Sequence, residues 1–242
     1  MSKRIAILQS NYIPWKGYFD LIHDVDDFVF LDDVQYTRQD WRNRNRIKTD
    51  RGATWLTIPV GTDLKRRICD VELPASWAAT HWNQLTTWYA DAPWFEHYRP
   101  VFEPVYRTTW RTLSELNQQL IRTIATDLLG IDVRFHDSRD FDGTTRQQER
   151  VIDLVQRLGG DTYVSGPAAK AYIEPRRFVE AGIELVWKDY RGYPEYPQFH
   201  PPFVHEVTVL DLLFHTGPRA PQYIWAKSEG ARSEEPRPFR SR

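Results

Sequence analysis

One cysteine, Cys69, stands in 242 residues. That excludes an internal disulfide and a metal site built from cysteines, and it fits a reducing compartment. Neither sign of charge is in excess: 32 Lys and Arg against 33 Asp and Glu leave a net charge of −1. Composition therefore gives no argument for a nucleic-acid or membrane partner, although a small phosphorylated ligand needs only a local basic patch. Long hydrophobic runs are missing too. The first apolar run is about five residues, far short of a secretory core or a membrane span, so the chain reads as soluble and cytoplasmic. Motifs are also absent. There is no Gly-x-Ser-x-Gly and no G-x-G-x-x-G after a strand, which removes support from serine hydrolases and dinucleotide oxidoreductases. The seven histidines are scattered and no pair has zinc spacing on a helix, so no metal site is expected. His200 and His205, flanking Pro201-Pro202-Phe203, give only a weak signal.

Aromatics are plentiful, with ten tryptophans and twelve tyrosines. Most of that mass is expected in the core, because each ring buries a large area. The length suits one domain, here 1–226. From Lys227 onward apolar residues nearly vanish, and 227–242 is predicted to be a disordered tail.

The pattern predicts an α/β fold. Short apolar runs at 4–9 and 28–31 read as buried strands, and 132–136, 162–164 and 183–187 as further strands, with helices over 16–23, 144–158 and 175–181 between them. Strand–helix alternation at this spacing favours right-handed crossovers and a mainly parallel central sheet flanked by helices, Rossmann-like. Segments 55–60 and 68–73 read as further strands, the second half-exposed by its alternation. Residues 76–129 have helical periodicity and form a helical insertion, with the position of a lid. A last helix covers 207–214.

The loop after the first strand is the first candidate for chemistry. In open α/β sheets, ligands sit where backbone N–H groups and a helix amino terminus converge. Here the segment carries Gln9, Asn11, Tyr12, Lys16, Gly17 and Tyr18, with Pro14 shaping the turn. Pro14-x-x-Gly17-Tyr18 is similar to the phosphate loop of class I nucleotidylyltransferases, but Trp15-Lys16-Gly17-Tyr18 stands where that superfamily has His-x-Gly-His. Asp32 and Asp33 end the second strand, at the edge that faces the crevice, as a candidate base, a water-mediated Mg²⁺ site or a holder of ribose or amine. His81, near a helix start, is a further candidate base. The stretch 41–48 alternates Asn43, Asn45 and Ile47 with Arg42, Arg44, Arg46 and Lys48. A cationic face of that kind suits phosphate or carboxylate, and a solvated basic edge or a nucleic-acid arm reads the same. Ser165 and Gly166 begin a second strand-to-helix junction that runs to Tyr172, and Asp189 and Tyr190 end the following strand.

Taken in order, several segments resemble the bacterial WbqC-like family. They are the Gln9-to-Ile22 stretch, Leu31-Asp32-Asp33-Val34-Gln35-Tyr36, and Trp41-x-Asn43-Arg44-Asn45-x-Ile47-Lys48. Further along come Tyr163-x-Ser165-Gly166 with Ala169 and Tyr172, Phe178-x-x-x-Gly182-Ile183, Asp189-Tyr190 with Tyr196-x-Gln198, and Val209 to Gly217. The departure is Ser10, where the family often has proline. The resemblance implies a bacterial cytoplasmic protein associated with O-antigen and related biosynthesis, decorating an amino sugar or similar amine by acyl or aminoacyl transfer.

Together these readings predict a group transferase acting on a small amine, such as a nucleotide-linked amino sugar. Lys16, Arg44 and Lys48 would hold phosphate or carboxylate, Asp32 or Asp33 would take a proton from the amine, and Gln9, Asn11, Asn43 and Asn45 would orient the donor. An adenylate donor would bring ATP and Mg²⁺, and an acyl thioester neither. The alternatives are a nucleotidylyltransferase using Lys16 and Tyr18, a non-catalytic scaffold of glycan assembly, and an RNA-binding module. A phosphorylated or nucleotide-linked small molecule is the expected partner, nucleic acid is not, and a homo-oligomer is compatible with the sequence.

Overall fold

A computed structural model describes residues 2–143 and 145–225. The predicted tail at 227–242 lies outside the described residues. Five strands form one all-parallel sheet: β1 (Arg4–Leu8), β2 (Asp27–Phe30), β5 (Arg134–Asp137), β6 (Thr162–Ser165) and β7 (Glu184–Trp187), in the order β5-β2-β1-β6-β7. A separate hairpin, β3 (Arg44–Thr49) with β4 (Gly52–Thr57), is antiparallel.

Strand alternation divides the interior in two. Ala6, Phe28, Phe30 and Val164 point into the larger core, and Ile5, Ile7, Val29 and Tyr163 into the smaller one. Successive residues on a strand face opposite ways, so a strand buried on both faces must be apolar throughout, as Ile5-Ala6-Ile7 is. Helices α1 (Lys16–His23) and α7 (Val209–Thr216) cover the larger core, while α5 (Gln147–Arg157) and α6 (Pro175–Glu180) cover the smaller. Phe19, Phe28, Phe30, Phe102 and Phe214 are fully buried, and each contributes about 2–3 kcal/mol of transfer free energy.

The helical block between β2 and β5 comprises α2 (Trp77–Tyr89), α3 (Phe95–Arg107) and α4 (Leu113–Arg122), which continues as a wider π-type turn over Thr123–Leu128. Leu85, Phe95, Phe102, Leu116 and Leu120 join the same core as α1 and α7, so the block is a wall of the domain rather than a lid. α4 starts cleanly because Thr112 and Glu115 form a capping box.

One predicted strand is corrected. Over 68–73 there is one 3-10 turn, Ile68–Asp70. Ile68, Cys69 and Val71 are buried there, so adjacent residues share the interior, as a turn allows and strict strand alternation does not. The 55–60 segment does contain strand, but it pairs with Arg44–Thr49 in the hairpin and not with the central sheet. The cationic stretch is itself that hairpin's first strand.

Candidate functional site

Counting the parallel strands alone, the order is 3-2-1-4-5. The chain moves outward through β2 to β5, then crosses back to β6 beside β1 and continues to β7. The crossovers reverse direction between β1 and β6, the switch point where open α/β sheets hold their ligands at the carboxyl ends of the strands. The loops at that point are Gln9–Trp15 after β1 and Gly166–Ala171 after β6.

Arg42 reaches into the first of these loops. Its guanidinium donates to Asn11 Oδ1, and to Gln9 Oε1 at 2.9 Å, with Asp40 at 3.4 Å. Two amide oxygens thus fix a cation beside the carboxyl end of β1. Arg42 was visible in the cationic stretch, but neither spacing nor residue type singled it out from Arg44, Arg46 and Lys48. Tyr18 donates to the Gln9 carbonyl at 3.1 Å, and its phenol is held protonated by burial, with Asp32 adding and Arg42 opposing.

Below this loop lies Asp32, fully buried. One carboxylate oxygen accepts the Ser10 N–H at 2.8 Å, and the other accepts the Ser114 hydroxyl at 2.5 Å and the Gln118 amide at 3.1 Å. Gln118 also donates to Asp137, which is clamped by Arg139. Asn117 donates to the Arg42 carbonyl at 2.8 Å and to Ser10 Oγ at 3.4 Å. Asp33 faces elsewhere, accepting Ser138 Oγ at 2.6 Å and lying 3.5 Å from Arg150.

The cations of the other candidate set are occupied. Lys16 is buried, donates to the Pro194 carbonyl at 3.3 Å, and sits 5.0, 5.3 and 5.9 Å from the ring centres of Tyr193, Tyr196 and Phe203. Burial pushes its pKa from 10.5 down to about 8, against the pull of Asp211, Glu195 and Glu206. Gly17 is required beside it, since a Cβ there would lie 2.3 Å from the Trp15 ring. Lys48 is buried and donates to the Pro202 carbonyl. Arg44 donates to the Gln39 carbonyl and stacks 4.1 Å from the ring centre of Trp55. Asn45 donates to the carbonyls of Tyr12 and Ile13, and Asn43 to that of Ile58. Asn45 therefore ties the hairpin to the loop after β1, while Asn43 ties the two ends of the hairpin to each other.

Tyr12 and His81 are both buried and hydrogen-bonded to each other at 2.9 Å, with Tyr106 on the far side of the Tyr12 hydroxyl and the Thr57 carbonyl 3.3 Å from His81 Nε2. Burial lowers the His81 pKa from 6.5 to about 4, so the ring is neutral at pH 7.

On the β6–β7 side, a cleft of about 470 Å³ opens between Trp15, the run Tyr190–Tyr193, and His205-Glu206. Its volume is in the range of small-molecule sites. Trp15 meets Tyr190 and Tyr193 edge to face, at 5.2 Å and 68°, and at 6.0 Å and 88°. Burial raises the Tyr190 pKa well above 10.0. A Cβ at Gly166 would sit 3.4 Å from the Tyr190 hydroxyl, so the β6 loop passes close behind this wall. Ser165 is buried at the end of β6, its carbonyl accepting the Lys188 N–H at 2.8 Å. Asp189 pairs with Arg191 at 2.8 Å, and Tyr172 is 75% exposed. His205, one of the two loop histidines with a weak signal in the sequence, has a buried Nδ1 with no hydrogen-bond partner among the described residues. Among those residues, no group of three His, Cys, Asp or Glu is positioned to hold a metal ion. No helix among them is long and apolar enough to cross a membrane.

The class is thereby defined: a doubly wound α/β protein whose polar loops and aromatic cleft gather at the carboxyl ends of its strands. The chain belongs to the WbqC-like protein family, whose sequence pattern matches residues 9–223. It is 42% identical over 226 residues to the uncharacterized protein Rv1507c of Mycobacterium tuberculosis, covering 92% of this chain and 97% of the relative. No solved structure matches.

Proposed function

We propose that this protein is an amide-forming group transferase that adds an acyl or aminoacyl group to a small amine, such as a nucleotide-linked amino sugar, in bacterial surface-glycan or related biosynthesis. The observation that carries this reading is the aromatic cleft lined by Trp15, Tyr190, Tyr193, His205 and Glu206, next to a loop where Gln9 and Asn11 fix Arg42. An aromatic cleft with a few polar groups suits a sugar-sized acceptor, and a fixed guanidinium suits a phosphate. In this reading Arg42 takes the anion-holding role that the sequence suggested for Lys16, Arg44 and Lys48.

The nucleotidylyltransferase alternative is disfavoured by two contacts. Lys16 is engaged by Pro194 and three rings, and the Tyr18 hydroxyl by the Gln9 carbonyl, so neither replaces a phosphate-binding histidine. The test is incubation with a panel of nucleotide-linked amino sugars and activated acyl or aminoacyl donors, read by mass spectrometry. A product heavier by the acyl group, absent without protein, is expected. Release of pyrophosphate from a nucleoside triphosphate and a sugar phosphate would instead favour nucleotidyl transfer. Ligand binding with no product from any donor would favour a scaffold.

A further inference from the structure

Resting on the transferase reading, we infer that the cleft between Trp15, Tyr190 and Tyr193 is the acceptor subsite, that it selects a protonated primary amine, and that His205 is the base that takes the proton. The first support is the shape of the walls. A flat base or nicotinamide needs two parallel faces to slide between. Here Trp15 stands at 68° to Tyr190 and 88° to Tyr193, which makes a corner and not a slot. Rings that border an opening attract a cation wherever a face, the negative part of the quadrupole, is turned toward it, and three aromatic rings border this one. The second support is Glu206, which puts a carboxylate on the same lining.

The third support is that the fold already uses this chemistry next door. Tyr193 is shared: it lines the cleft and is one of the three rings around the Lys16 ammonium. The cations near the cleft do not forbid another. Arg191 is paired with Asp189 at 2.8 Å, and Lys16 lies in the field of Asp211, Glu195 and Glu206.

His205 completes the set. It is half-buried, packs edge to face on Phe203 at 4.7 Å, and carries the unpartnered Nδ1. A buried ring nitrogen without a partner calls for an explanation, and a proton-transfer role supplies one. Burial, reinforced by Lys16, lowers its pKa below 6.5, so the ring is neutral and able to accept a proton at pH 7. The acceptor ammonium gives one proton to the His205 imidazole, and the freed nitrogen lone pair forms a C–N bond to the carbonyl carbon of an activated acyl donor, a mixed anhydride or thioester. The bond from that carbon to its leaving group breaks with its electron pair, and the second amine proton leaves with the departing group.

The test uses glucosamine, N-acetylglucosamine and glucose as probes, with the full chain, by ligand-observed NMR titration at pH 7. Glucosamine is expected to bind at least tenfold more tightly than the two neutral sugars. Glu206→Gln, at an exposed position, and Trp15→Leu should each reduce that preference at least tenfold. His205→Gln should leave glucosamine binding within about twofold and lower amide formation by roughly 10²-fold or more. Equal affinity for the three sugars would overturn the subsite, as would a preference that ignores both Glu206 and Trp15. Full turnover in His205→Gln would overturn the base. Should amide form while glucosamine ignores the cleft, this inference fails and the transferase reading stands. If amine selectivity maps to the cleft but no donor yields product, the transferase reading fails and the amine site stands without its base.

Discussion

The floor around Asp32 and the cleft around His205 lie at the same edge of the sheet, yet they differ in one respect. At the floor, the protein spends the hydrogen-bonding capacity itself: three donors converge on Asp32, and Asn117 ties Ser10 to the Arg42 carbonyl. In the cleft, a buried imidazole nitrogen is left over, beside rings that meet edge to face. A carboxylate at a strand's carboxyl end is therefore not, by position alone, a reacting group. What counts is whether its oxygens are already committed. On this contrast Asp32 is a tie between the β1 loop and α4, and reactive capacity sits with the less satisfied wall.

The sharpest way to break the contrast is Asp32→Ala. If the floor is a structural tie, this variant leaves the Ser10 N–H, Ser114 and Gln118 without their acceptor and should cost about 3 kcal/mol or more in stability, read from denaturant midpoints. Unchanged stability with abolished turnover would return Asp32 to the catalytic role read from the sequence. Next in size is the pH response of His81. Its folded-state pKa of about 4 lies below the ordinary 6.5, so between those values the unfolded chain binds a proton that the folded chain does not. Stability is thus retained above pH 6.5 and lost as the pH falls toward 4, by about 3 kcal/mol. His81→Gln should flatten that window in denaturation curves collected across it.

Smaller in energy is Arg42→Ala. With a neutral pair of amides as its main partners, Arg42 should contribute little to folding, within about 1 kcal/mol, while affinity for a nucleotide-linked sugar falls about tenfold, measured by calorimetry. Smallest is Tyr172→Ala, at a residue 75% exposed. It should leave stability within about 0.5 kcal/mol and turnover unaltered, and a lost activity would bring the β6 junction into the site.

The central sheet was legible because β1 and β2 are short apolar runs and the later strands alternate with helices, and the helices because their apolar residues recur at three and four. Ile5-Ala6-Ile7 and Phe28-Val29-Phe30 leave few other readings. The hairpin was half legible: alternation placed Asn43, Asn45 and Ile47 on one face, and all three are buried. Lys16 and Lys48 were not legible as buried cations. Lysine is rarely interior, and the carbonyls that receive these two, Pro194 and Pro202, lie more than 150 residues away in sequence. Because Lys16 is buried among three rings, Lys16→Ala is expected to lower the melting temperature, which the loss of an exposed loop lysine would not do. The 68–73 turn is not legible because the apolar residues Ile68, Val71 and Leu73 suit a short strand as well as a turn, and the burial of Cys69 is a tertiary effect. His205 carried only the weak local signal of a histidine beside Pro201-Pro202-Phe203, since its setting comes from Trp15 and Tyr193, which other parts of the chain supply.

Between β7 and α7, residues 188–207 contain neither helix nor strand. This run supplies Tyr190, Tyr193, His205 and Glu206, while the facing Trp15 is anchored beside Gly17 at the start of α1. One bank of the cleft is thus welded to the sheet and the other is free to be rewritten without unpicking a strand pairing. Divergence among kindred proteins in the molecule they accept would then be written along 188–207, while the bank carrying Gln9, Ser10 and Trp15 stays the same.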